Sequence, residues 1–308
     1  MGLCSFPAYE VNLNLFISTE NTMTQKKQTK SKRKYRLIYL SMLVLALALV
    51  GVLAFAIYKL NTEYVPQQKE AQRFSQLSVI AHGDDAVSET DSSGNPVVGP
   101  DEQQNTIETT TTGAKIPHYT LEELFSMNSD MVGWLTIPDT VVDYPVMHTP
   151  DDIEYYLHTD FDGYYSFSGC LFVGNNCDID SDMFVIYGHN MNNGSMFGSI
   201  DYYTSYDYWT SHPDVILKTK DETRLYHIFA AFATKVYDED DDSGAFKYYY
   251  AVGDKTKEQY DQDVKDIIAL SYFDSGIIPE YPAQIAYLST CAYHDENGRF
   301  VLAAYRIG

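Results

Sequence analysis

Residues 284–308, QIAYLSTCAYHDENGRFVLAAYRIG, hold two runs rich in β-branched and aromatic residues, divided by the polar stretch HDENG. That is the pattern of two strands joined by a tight connection. Cys291 ends the first run beside the loop, which puts a thiol at a strand terminus. Arg299 opens the second, so a tight connection brings it beside Cys291 on the adjoining strand. Upstream, from about Ile116, short apolar runs bounded by Gly, Asn, Asp and Pro recur. They predict strands at Val132–Ile137, Val141–Val146, Cys170–Val173, Met183–Tyr187, Val215–Lys218, Leu225–Val236, Gln284–Thr290 and Phe300–Ile307. Eight short strands suggest a closed barrel or a sandwich, mainly β with peripheral helices. Helices fit best after the T-x-x-E capping box Thr120–Glu123, through Phe125, at Asp152–His158, near Met196–Tyr203 and at Lys255–Leu270.

Ahead of this domain, Leu37–Tyr58 runs 22 residues without a charge, LIYLSMLVLALALVGVLAFAIY. At about 1.5 Å per helical residue it spans a hydrocarbon core of roughly 30 Å. No convincing A-x-A-like cleavage site follows, so the expectation is an uncleaved, single-pass signal-anchor that contacts membrane lipid through residues 37–58. Residues 1–36 carry seven Lys and Arg against Glu10 and Glu20, which assigns that tail to the cytoplasm by the positive-inside rule. Met23 makes a more ordinary start than Met1. A myristoylation signal at Gly2 is discounted because Phe6 stands where Ser or Thr is needed.

The whole chain has a formal net charge of −22, and the part after residue 58 carries 14 basic and 41 acidic residues. Such a surface repels a phosphate backbone, so nucleic-acid binding is disfavoured. Residues 83–114 hold seven acidic residues and neither a basic nor an aromatic one, the composition of a flexible stalk. Lys59–Ile80 reads equally as a helix or as more tether. The expected organisation is a cytoplasmic tail over 1–36, an anchor over 37–58, an extracellular linker over 59–115 and a folded domain over 116–308.

A thiol needs a base or a cationic neighbour to become thiolate at neutral pH. His189 follows the apolar run MFVIYG and precedes NMNNGS, so it also stands at a strand end facing a turn. His294, three residues from Cys291, is the rival; His82, His118, His148, His158, His212 and His227 have no such setting. A permanently charged Arg299 beside the thiol could stabilise a developing oxyanion. Cys170 and Cys177 could pair outside the cell, although their spacing suits no zinc site. The acidic run from Asp238 to Asp242 is better read as a solvated loop than as a calcium site.

Together, YGHNMNNGSMF (Tyr187–Phe197), LSTC (Leu288–Cys291) and an Arg opening the next strand resemble the class B sortases of Gram-positive bacteria. The resemblance runs from Tyr119 to Gly308 and includes GWLTIPDTVVDYPV (Gly133–Val146) and YYLHTDF (Tyr155–Phe161). It implies an eight-stranded β-barrel behind the transmembrane helix, with Lys255–Leu270 as the helical insertion that marks class B. It implies Cys291 as nucleophile, His189 as its acid/base partner and Arg299 as the group holding the substrate backbone and oxyanion, with the backbone N–H of Ala292 a candidate second donor. Ser289 and Thr290 are candidates to line the substrate groove, or are ordinary strand residues.

The implied activity is transpeptidation. A C-terminal sorting signal of a secreted protein is cleaved through a Cys thioester and passed to an amine of lipid II or peptidoglycan, or to a pilin lysine, with no metal or organic cofactor. The rivals are a membrane-tethered cysteine peptidase that uses water, a pilin-polymerising sortase, and a non-catalytic surface binding module.

Overall fold

The computed structural model describes residues 13–82, 120–238, 240–291 and 297–308. The expected stalk over 83–114 lies outside them. The chain divides into two units, residues 1–65 and 66–308. The first is built on α1 (Leu13–Lys59), followed by a π-helical turn at Leu60–Tyr64. By length and composition it carries a candidate membrane span, with apolar side chains such as Leu45 and Leu53 exposed.

In the second unit α2 (Val65–Ala81) presents a narrow stripe, Phe74, Leu77, Ile80 and Ala81, that is buried in the core. Phe74 meets the Tyr144 ring edge-on at 5.3 Å. Of the two readings of Lys59–Ile80, helix or tether, the helix is the one found, and it is packed against the folded domain. α3 (Leu121–Met127) opens on the expected capping box, with Thr120 Oγ1 accepting from the Glu123 N–H and the Glu123 carboxylate accepting from the Thr120 N–H.

Eight strands follow: β1 (Met131–Thr136), β2 (Asp143–Met147), β3 (Leu171–Val173), β4 (Met183–Tyr187), β5 (Asp214–Lys218), β6 (Thr223–Lys235), β7 (Ile285–Cys291) and β8 (Gly298–Arg306). They close into a barrel in the order β1-β2-β3-β4-β7-β8-β6-β5, with β5 returning to β1. Two neighbouring pairs, β2–β3 and β4–β7, are parallel. A closed sheet leaves no free edge, which resolves barrel against sandwich.

The strands β4, β7 and β8 read as apolar runs because both of their faces are buried. Phe184, Ile186, Ala286, Leu288 and Leu302 fill the barrel interior, while Val185, Tyr287 and Val301 face a second core. That outer core is completed by α5 (Lys257–Leu270), whose Tyr260, Val264 and Ile267 recur at helical spacing behind a Thr256–Gln259 capping box.

Two expected helices are corrected. Asp152–His158 forms only a 3-10 turn at Tyr155–Leu157. The carbonyls that an α-helix would need are taken one residue early: Asp152 C=O accepts from the Tyr155 N–H at 3.0 Å and Glu154 C=O from the Leu157 N–H at 2.9 Å, while Tyr156 C=O and Leu157 C=O beyond them bind the Cys170 N–H and the His189 ring. Near Met196–Tyr203, Met196 itself adopts φ 54°, outside the helical region, and donates its N–H to the Tyr144 hydroxyl. Helical turns begin later, with a 3-10 turn at Ile200–Thr204 and then α4 (Tyr206–Ser211).

Asp143, at the start of β2, ties α2 to the barrel. Its carboxylate accepts from Ser78, from His82 Nε2 at 2.8 Å, from Trp134 Nε1 at 2.8 Å and from Thr136 Oγ1 at 2.7 Å. Burial pushes this carboxyl up, but the bonds from His82, Ser78, Trp134 and Thr136 together outweigh that and hold it well below the usual carboxylate range. Asp143→Asn turns one oxygen into a donor facing donors, and the expected cost is about 3 kcal/mol of stability at neutral pH. Because the folded-state value is depressed, this stabilisation is complete above the unfolded value of about 3.9 and is lost as the pH falls below it. Thermal unfolding of both forms from pH 7 to pH 3 should show the gap between them closing at the acid end.

Candidate active site

The parallel ladder of β4 and β7 runs from Met183 opposite Ile285 to Tyr187 opposite Ser289, a constant offset of 102 residues. The Gly188 N–H carries it one step further, donating to the Ser289 carbonyl at 3.1 Å. His189 follows Tyr187 by two residues and Cys291 follows Ser289 by two, so both stand beyond the same end of this ladder. On the other side β8 is antiparallel to β7 and pairs Arg299 with Cys291 directly. β4, β7 and β8 are neighbours in the barrel, so the three residues stand along one row of strand ends. Cys291 and Arg299 are direct partners there, on strands about 4.8 Å apart.

His189 is half-buried, and its ring is held from two sides. Nε2 lies 2.9 Å from the Leu157 carbonyl. A carbonyl only accepts, so Nε2 carries the proton, and in the neutral ring Nδ1 is left as the free acceptor. The His158 ring stacks on the other side, centroids 5.3 Å apart and planes 27° from parallel. Burial pushes the imidazole below its ordinary value; the Leu157 bond raises it and His158 lowers it further. At neutral pH His189 is therefore a neutral base. His158 had no recognisable setting in the sequence, because what gives it one is a loop of the fold rather than its neighbours in the chain.

Arg299 is partly buried and donates from Nη1 to its own strand entry, the carbonyls of Gly298 at 2.9 Å and Asn297 at 3.3 Å. Asn297 adopts φ 61°, a left-handed conformation that Asn tolerates and that turns the chain into β8. Burial raises the phenols of Tyr187 and Tyr248, and the Arg299 charge works against this at both, so the guanidinium stands within electrostatic reach of these rings.

Ser289 and Thr290 lie within β7, just before Cys291. Both are buried, at 0% and 2% exposure. The Ser289 hydroxyl is engaged by the Tyr248 hydroxyl at 2.7 Å, and the Thr290 hydroxyl is enclosed without a hydrogen-bond partner among the described residues. Tyr248, which supports the strand next to the thiol, was hidden among 27 tyrosines.

Cys170 and Cys177 are free thiols, so the disulfide between them is not formed; burial raises both. His294 and Ala292 lie outside the described residues, as does Glu239 of the acidic run, in which Asp241 pairs with Lys247 at 3.3 Å. His82, His212 and His227 bond to Asp143, the Tyr208 carbonyl and Asp214 respectively.

A family model for the sortase domain matches residues 135–307. The chain is similar to a sortase B of Listeria monocytogenes, 32% identical over 191 residues that cover 59% of this chain and 72% of that protein. Among solved structures it resembles Clostridium perfringens sortase B, with 28% identity and a TM-score of 0.53 over 61% of this chain and 99% of that one. A Staphylococcus aureus sortase B–substrate complex shares the fold at 24% identity and a TM-score of 0.53, over 60% of this chain and 83% of that one.

Proposed function

The chain belongs to the sortase family, as a class B cysteine transpeptidase, and on that premise we propose that Cys291 is its nucleophile, His189 its acid/base and Arg299 its oxyanion and backbone clamp. The substrate is a C-terminal sorting signal of a secreted protein. His189 Nδ1 takes the Cys291 proton, and the thiolate attacks the carbonyl carbon of the residue before the scissile bond. Arg299 faces the oxyanion that forms. As the C–N bond breaks, the imidazolium returns the proton to the leaving amine, and a thioester remains. An amine of a cell-wall precursor then attacks the thioester. Its proton passes to His189, the C–S bond breaks and the thiol is restored.

The observation that supports these roles best is the order β4-β7-β8, with Arg299 paired to Cys291 and His189 two residues beyond the same end of the β4–β7 ladder. The α1 anchor, with its basic flank, would hold the domain on the outer membrane face beside a lipid-linked acceptor, where tethering raises the effective concentration of both reactants.

The test is mass spectrometry of the full chain in detergent micelles with a panel of sorting-signal peptides and an amine acceptor. The expected result is an acyl adduct on Cys291 that an amine converts to conjugate. Cleaved acid with no conjugate at any amine would replace this reading by the peptidase. No adduct across the panel would replace it by a binding module. Arg299→Lys keeps the charge but loses the planar fork, and is expected to lower kcat/KM about 10- to 100-fold. Measuring that ratio beside wild type checks the clamp.

A further inference from the structure

The roles above leave α2 without a task, yet α2 grips the loop against which His189 rests. Building on the assignment of His189 as acid/base, we propose that Glu70 and Arg73 of α2 are positioning residues for His189, fixing the loop of residues 158–168 that holds its ring.

The loop is closed on itself. Thr159 and Tyr165 form an antiparallel bridge, the Ser166 N–H donates to the His158 carbonyl at 3.0 Å and the Asp160 N–H to the Tyr164 carbonyl at 2.8 Å. This folds the Tyr165 ring onto His158, 6.1 Å away and 28° from parallel, and His158 onto His189. Where the loop exits, Gly169 sits at φ 57°, and a Cβ there would fall 2.3 Å from the Tyr156 carbonyl oxygen and 2.4 Å from that of Leu157. The exit is therefore pressed against the carbonyl that orients the imidazole.

α2 supplies the outer grip. Arg73 holds both oxygens of Asp162, from Nε and Nη2, at 2.6 Å each. Glu70 accepts from the Phe167 N–H at 3.0 Å and from Ser168 Oγ at 2.5 Å. α2 is itself anchored, through Ser78 and His82 to Asp143 and through Phe74 and Leu77 in the core. Between α2 and the segment that follows His189 lies a cleft of about 260 Å³ lined by Phe74, Met191, Asn193, Ser195 and Met196. Across that gap α2 reaches His189 through the 158–168 loop.

The Arg73–Asp162 pair is about one-third exposed, at 33% and 31%, and pairs so placed add little to global stability. Their effect should fall on alignment, where a displacement of an ångström can cost as much as about 100-fold in rate.

The experiment uses the full chain in detergent micelles, labelled with 15N-histidine. Glu70→Ala combined with Arg73→Ala is expected to lower kcat about tenfold with KM within about twofold. In the same variant the His189 ring titration should move up toward the ordinary histidine value as its cover loosens. Arg73→Lys, which keeps one contact to Asp162, should restore kcat to within about threefold of wild type. Wild-type kcat and an unmoved His189 titration in the double variant would overturn the proposal. So would a loss of kcat that merely tracks the unfolded fraction. If the double variant does not fold, Asp162→Asn leaves α2 untouched and gives the same two readouts. The titration needs no turnover: if it shifts in a chain that transfers no acyl group, the transpeptidase roles fail and the positioning stands.

Discussion

Cys291→Ala is expected to abolish the acyl adduct and lower transpeptidation at least about 10⁴-fold, because no other group in the row can form the thioester. The fold should survive. Cys291 is the last residue of β7, and its pairing with Arg299 is a backbone register that any side chain can keep. Thermal unfolding within a few degrees of wild type, with no mass increment on any residue after incubation with peptide, is the expected pair of results. An adduct that persists in the variant would move the nucleophile elsewhere.

His189→Gln should cost about 10³-fold in kcat/KM, within the usual range for a general acid and base. The pH dependence adds a sharper test. Burial lowers the His189 value, so the neutral ring that accepts the thiol proton persists to a lower pH than a free imidazole would allow. The acid limb of the wild-type kcat/KM profile should therefore fall below about pH 6.5, the ordinary histidine value, and Gln at 189 should remove that limb. A limb that stays in the variant would assign it to another group, with His158, stacked on the same ring, the first to examine.

Much of this site was legible in the sequence because its parts are local signals. Cys291 and Arg299 flank one turn, and His189 ends an apolar run, so each declares its own strand end. The capping boxes at Thr120 and Thr256 were equally local, being reciprocal bonds over three residues. The corrections arose where a distant partner overrode a local pattern. Asp152–His158 has helical composition, but it winds only a 3-10 turn, and the Tyr156 and Leu157 carbonyls at its end are held by Cys170 and His189. α2 shows only four buried residues among glutamines and serines, and its partners Asp143 and Asp162 stand 65 and 89 residues away from Ser78 and Arg73. Ser289 read as groove-lining or as an ordinary strand residue, and nothing near it in the chain announced that its hydroxyl would meet Tyr248.

The parallel pairing of β4 with β7 also carries a temporal meaning. β4 is complete at Tyr187, whereas its partner begins at Ile285, nearly a hundred residues later. During synthesis and export the edge of β4 waits unpaired until almost the whole domain has been made. Long-range pairings of this kind are slow to form and leave sheet edges open to wrong partners meanwhile. On the proposed roles, the nucleophile and its base come from strands made far apart in time, so the chemistry has to wait until β7 pairs with β4 and the barrel closes.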